Sequence, residues 1–83
     1  MMDAARKAKL TWQCRRGMLE LDLLLNQFLN RQLDQLNEEQ IAQFEILLQQ
    51  PDPVLYSWLM GSVPANRDVE DIVRRIQLQD YLK

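Results

Sequence analysis

Met18-Leu19-Glu20-Leu21-Asp22-Leu23-Leu24-Leu25-Asn26-Gln27-Phe28-Leu29 is the stretch that decides the fold. Met18, Leu21, Leu24, Leu25, Phe28 and Leu29 recur at three- and four-residue intervals. That spacing sets them on one face of an α-helix, and so apolar a face must be buried. Met18 is assigned to the core with the rest of the stripe. Leu19 and Leu23 fall off it and are left to face a neighbouring helix or a partner. No alternating apolar–polar run of useful length occurs in the chain, so the helical period is the one to follow in both directions.

Upstream, residues 3–14 read as a first helix, with Asp3 available to cap it and Ala4, Ala5, Ala8 and Leu10 favouring it. Gly17 interrupts the pattern and marks a bend between this helix and the next. Downstream, Asn37-Glu38-Glu39-Gln40 has the form of a capping box and opens a helix whose apolar face is Ile41, Phe44, Leu47 and Leu48. Pro51 stops it. Asp52 then caps a fourth helix, with Pro53 at the first helical position, where no N–H is needed. Leu55, Trp58 and Leu59 form its buried side, and Gly61 fits the left-handed position that ends it. After a link at residues 62–65, Asn66 is expected to cap a last helix with Val69, Ile72, Val73 and Ile76 on one face. The tail from Gln77 loses this order and is expected to fray. The fold class is therefore all-α, a compact bundle of five short helices forming a single helical domain over residues 1–83.

Composition narrows the function. The chain has 83 residues, 47% apolar and 27% charged, which are ordinary globular values. A domain this small buries about 60–65% of the surface its unfolded chain exposes, which leaves little room for a deep substrate cavity. Cys14 is the single cysteine and there is no histidine. An internal disulfide and the usual zinc or iron–sulfur sites are thereby excluded. No apolar run approaches the roughly 18–20 residues of a membrane span, and the N-terminus lacks the apolar stretch of a secretory signal. The expectation is a soluble protein of a reducing, intracellular compartment with no direct membrane insertion.

The net charge of −2 conceals an asymmetry. Residues 1–16 hold five basic residues against Asp3, and the remainder holds five basic against eleven acidic. A positive end on an acidic body can steer an acidic partner, or it can be a solvated helix start. Trp12 among Arg6, Lys7, Lys9, Arg15 and Arg16 raises nucleic-acid binding. The acidic balance of the chain and the lack of a basic recognition helix argue against it.

Catalytic apparatus is not evident. The usual general base is missing, Ser57 and Ser62 stand in no partner motif, and there is no glycine-rich phosphate loop. Cys14 beside two arginines can be an activated thiol, but a structural cysteine at a helix end is the favoured reading. The expectation is no enzyme, no catalytic residue, no metal and no cofactor of its own.

What stands out is Arg15-Arg16-Gly17-Met18-Leu19-Glu20-Leu21-Asp22. One reading is internal: Glu20 and Asp22 favour a helix N-terminus, and the arginines pair with them. The other is external: a glycine lets a partner's backbone approach, and Arg16 and Glu20 supply charged hydrogen bonds at the rim. Spacing alone favours the internal reading.

At these residues the sequence resembles the succinate dehydrogenase flavinylation factors, the SdhE family. Arg16-Gly17-Met18-Leu19-Glu20 looks like the Arg-Gly-x-x-Glu signature, within a longer similar frame from Trp12 to Asp22. Asp52-Pro53-Val54-Leu55-Tyr56-Ser57-Trp58-Leu59-Met60-Gly61 and Val73-Arg74-Arg75-Ile76-Gln77 agree as well. The resemblance implies a five-helix assembly factor of the bacterial cytoplasm, a monomer when free. Its partner would be the flavoprotein subunit of succinate dehydrogenase, and often that of fumarate reductase. It would promote covalent attachment of FAD to that client, holding no flavin itself. On this resemblance Arg16, Gly17 and Glu20 carry the partner contact, with Arg15, Met18 and Asp22 as neighbours. An antitoxin-like interaction module is the alternative, since bacterial members have also been labelled so.

Overall fold

The stripe becomes the spine of the molecule. In the computed structural model, which describes residues 4–79, it lies on α2 (Leu19–Gln32), where Leu21, Leu24, Leu25, Phe28 and Leu29 are all buried. Met18 is not buried: it keeps 37% of its surface exposed. It immediately precedes the helix, with extended backbone angles of φ −109° and ψ 120°. The helical period does not yet govern where its side chain points, and the assignment to the core is corrected accordingly. Leu19 and Leu23 are exposed as well, so among the described residues no neighbouring helix covers them.

The other helices complete the bundle. α1 (Ala4–Gln13) precedes α2, and Leu10 is its buried residue. Asp3, the expected cap of α1, lies outside the described residues. A 3₁₀ turn (Leu33–Gln35) follows α2 and buries Leu33. α3 (Glu38–Leu47) opens on the expected capping box: Asn37 accepts from the Gln40 N–H, and the Gln40 side chain accepts from the Asn37 N–H. Two of the orphan donors at that helix start are thereby satisfied. The Phe28 and Phe44 rings meet at 5.4 Å between centroids, tilted by 55°, and join α2 to α3.

α4 (Asp52–Leu59) begins one residue earlier than expected, with Pro51 as its cap residue and Asp52 inside the helix. Asp52 makes no capping bond; its carboxylate is engaged by Arg16 instead. Gly61 ends α4 at φ +81°. The Ser62 N–H reaches back to the Ser57 carbonyl and the Gly61 N–H to that of Trp58, which satisfies the last carbonyls of the helix.

α5 (Glu70–Leu78) starts later than expected. Residues 67–69 form a turn, and Asn66 contributes its main-chain carbonyl to the Val69 N–H rather than a side-chain cap. The cap comes from another helix: Gln43 of α3 accepts from the Ile72 N–H at 3.3 Å. Val69, Ile72, Val73 and Ile76 are buried, and α5 packs on α2, α3 and α4.

The expected fraying from Gln77 is corrected over the described part of the tail. Gln77 donates to the Trp58 carbonyl at 3.0 Å and Gln79 to that of Leu24 at 2.9 Å, which ties the end of α5 to α4 and α2. The described chain is all-α, and its Cα radius of gyration of 11.8 Å is close to the roughly 12 Å of a compact chain of this length. Among the described residues no helix is long and apolar enough to cross a membrane.

Candidate functional site

Three helix ends converge on the junction between α1 and α2. α1 finishes at Gln13, Cys14 turns inward, and residues 15–18 cross to α2. Gly17 adopts φ +83°, a conformation that L side chains rarely take. A Cβ built there would meet nothing within 4 Å. Backbone conformation rather than crowding therefore requires the glycine, and the space above it is open.

Arg16 is held from inside the protein. Its guanidinium donates four hydrogen bonds: to Asp52 Oδ1 at 2.8 Å, the Gln13 carbonyl at 3.1 Å, the Leu48 carbonyl at 2.8 Å and the Gln50 carbonyl at 2.6 Å. The Leu48 and Gln50 carbonyls lie just past α3, where no further helical N–H is available to them. One planar cation thus closes the ends of α1 and α3 and the start of α4, a task suited to the fork of an arginine. Its side chain is 15% exposed. The Arg16 main-chain N–H donates to Asp22 Oδ1 at 2.6 Å, so Asp22 fixes the loop from the other side. The expectation that the arginines pair with Glu20 and Asp22 is corrected. Arg16 pairs with Asp52, and Arg15 is exposed with no side-chain partner among the described residues.

Glu20 points outward in the first turn of α2. The Tyr56 hydroxyl donates to its Oε2 at 3.1 Å. Around it stand Met18 and Leu19, the latter 74% exposed. A shallow groove of about 400 Å³ continues along α2, lined in part by Asp22, Leu23, Asn26 and Arg31. The sequence-predicted residues are thus brought together, but in two layers. Arg15, Gly17 and Glu20 face solvent, while Arg16 and Asp22 turn inward and hold the loop.

The sequence reading made Asp52 a helix cap only and gave Tyr56 no role. A signal was there: Asp52 and Tyr56 are four apart on one face of α4, and Arg16 and Glu20 are four apart across the entry to α2. That the two pairs should meet across the chain is a fact of packing.

Cys14 lies beneath this junction with no exposed surface. Burial pushes its thiol up to about 12; Asp22 adds to the rise, and Arg16 opposes it. A thiol so placed is a packing residue rather than a nucleophile. Among the described residues, no group of three or more His, Cys, Asp or Glu is arranged to hold a metal ion.

The fold and site define a small helical protein whose polar signature gathers on an open helix junction. The family model described as flavinator of succinate dehydrogenase matches residues 8–80, nearly the whole chain. The chain is 47% identical over 76 residues to the FAD assembly factor SdhE of Legionella pneumophila (strain Paris), covering 92% of this chain and 96% of that protein. It is 44% identical over 78 residues to the protein of the same name from Coxiella burnetii, covering 93% and 95%. A third such protein, from Vibrio cholerae, is 44% identical over 61 residues, covering 74% and 71%. The chain belongs to the flavinator of succinate dehydrogenase family.

Proposed function

We propose that this chain binds the flavoprotein subunit of succinate dehydrogenase, and that of fumarate reductase where present, and promotes covalent attachment of FAD to it. The observation that carries this reading is the family match over residues 8–80. The arrangement at the junction supports it: exposed Arg15, Gly17 and Glu20 form the contact, and Arg16 and Asp22 hold that contact in shape. The flavin belongs to the client, and this chain supplies binding alone. Acting in the cytoplasm as a free monomer, it favours the client conformation in which flavin and the client's histidine meet. A binder shifts such an equilibrium only through its different affinity for the two states. About 1.4 kcal/mol of preference shifts it tenfold, which is within reach of a few charged contacts.

Deleting the protein lowers covalent flavin on the dehydrogenase subunit, seen as flavin fluorescence of the denatured subunit in a gel. An unchanged band refutes the proposal. Co-purification from extract is expected to return a large flavoprotein; an eluate holding a small toxin-like partner instead would favour the antitoxin alternative.

A further inference from the structure

We propose that Tyr56 is a positioning residue for Glu20, so that the docking surface is built from two segments rather than one. This rests on the reading of Glu20 as a partner contact. The 16–20 segment and the first turns of α4 lie side by side like a two-rung ladder. Arg16 meets Asp52 at 2.8 Å on one rung, and Glu20 meets Tyr56 at 3.1 Å on the next. Both rungs span 36 residues of sequence, so the two segments run in step.

The first rung is the stronger, because Arg16 is also fixed by three carbonyls. It sets where α4 stands against α2. The Tyr56 ring is partly buried and packs on the hydrophobic core, so its hydroxyl is presented from a rigid support. Glu20 is exposed, and a glutamate without a partner spreads over many rotamers that must be given up on binding. The Tyr56 hydroxyl selects among them before the client arrives.

The same bond sets the chemistry of the client group. An ionised carboxylate is an acceptor only. With Oε2 accepting the hydrogen bond of the Tyr56 hydroxyl, Oε1 remains to accept from an N–H donor, best a cationic one. A carboxylate or carbonyl on the client at this point would be rejected. The second segment therefore contributes specificity for a donor group.

The test is a double-mutant cycle in client affinity, measured by titration calorimetry with the purified full chain and the flavoprotein subunit. The proteins are wild type, Tyr56→Phe, Glu20→Ala and the double variant. Tyr56→Phe keeps the ring, so it is expected to fold as wild type does, checked by circular dichroism, and its affinity to fall about two- to tenfold, the worth of one hydrogen bond. In the Glu20→Ala background the same substitution is expected to change nothing, because the group it positions is gone. Equal losses in both backgrounds would overturn the inference, since Tyr56 would then act independently of Glu20. No loss from Tyr56→Phe beside a clear loss from Glu20→Ala overturns it while leaving the docking role of Glu20 intact. A Glu20→Ala protein that binds like wild type overturns both.

Discussion

Replacing Arg16 with alanine is expected to damage the fold before it damages any contact. The substitution removes the four guanidinium hydrogen bonds to Asp52, Gln13, Leu48 and Gln50. A net hydrogen bond involving a charged group is worth about 1.5–3 kcal/mol, and the four do not add, because water reaches part of what is uncovered. With the Arg16 side chain 15% exposed and Asp52 34% exposed, solvent recovers some of the Asp52 term and less of the carbonyls at the end of α3. A total near ~3 kcal/mol follows for Arg16→Ala. For a domain of this size each kcal/mol lowers Tm by about 4–8 °C, so the expected drop is ~12–24 °C. Arg16→Lys is expected to recover less than half of it, since an ammonium cannot span Asp52 and the three carbonyls together. Asp52→Asn keeps an oxygen for Nε and is expected to be the mildest of the three. Thermal unfolding followed by circular dichroism at 222 nm measures all of them. An Arg16→Ala protein melting within about 2 °C of wild type, a shift worth well under 1 kcal/mol, would refute the clamp. If that protein still failed to bind the client, Arg16 would be a contact residue after all.

Three further outcomes are expected. Gly17→Ala is expected to cost about 1–2 kcal/mol through its left-handed backbone alone, and Gly17→Asn less; since nothing crowds the position, Gly17→Arg melts like Gly17→Ala but binds the client more weakly, because only the arginine adds bulk at the contact. The buried Cys14 thiol resists alkylation at pH 8 unless urea is added. Its folded pKa is raised from 9.0 to about 12, so its contribution to stability is whole below pH 9 and falls as pH rises towards 12, a slope that Cys14→Ala is expected to lose in denaturation series over that range. Glu45 titrates below its ordinary value, chiefly because Arg6 hydrogen-bonds it. Its contribution is whole above the usual carboxylate value and lost as pH falls from there through the lowered folded one, so the stability gap between wild type and Arg6→Gln is expected to narrow in acid and in high salt.

The core was legible in sequence because it follows from period alone. The apolar stripe of α2 from Leu21, that of α3 (Ile41, Phe44, Leu47 and Leu48) and that of α5 (Val69, Ile72, Val73 and Ile76) are buried as their spacing requires. Local chemistry was legible where the partners lie within a few residues, as in the Asn37–Gln40 capping box and at Gly61. Where an interaction closes over a long interval, local rules named the wrong partner. Asp52 is a good cap by position, yet its carboxylate serves Arg16, 36 residues away. Asn66 is a good cap by type, yet Gln43 of α3 supplies the bond to α5. The tail from Gln77 has no apolar period, yet two glutamine amides fasten it to helix carbonyls. Met18 failed for a different reason: it belongs to the apolar stripe but not to the helix. At Asp52, at the start of α5 and in the tail, the outcome depends on which group tertiary packing brings near, and no sequence window contains that information.

The two halves of the Arg16-Gly17-Met18-Leu19-Glu20 signature do different physical work, and the order in which they stand explains why. Arg16 faces inward and needs a fixed backbone on its far side; the bond from its N–H to Asp22 provides it. The chain must then reverse into α2 at once, which Gly17 permits by entering the left-handed region. The turn leaves Met18 and Leu19 exposed at the start of α2 and sets Glu20 in its first turn, within reach of Tyr56. An arginine so embedded cannot leave its carbonyls to meet a client without opening the ends of three helices. If the surface acts by favouring one client conformation, its own rigidity matters, because a contact that yields to the client discriminates less between the client's states. The buried half of the signature then serves the exposed half by keeping it from yielding.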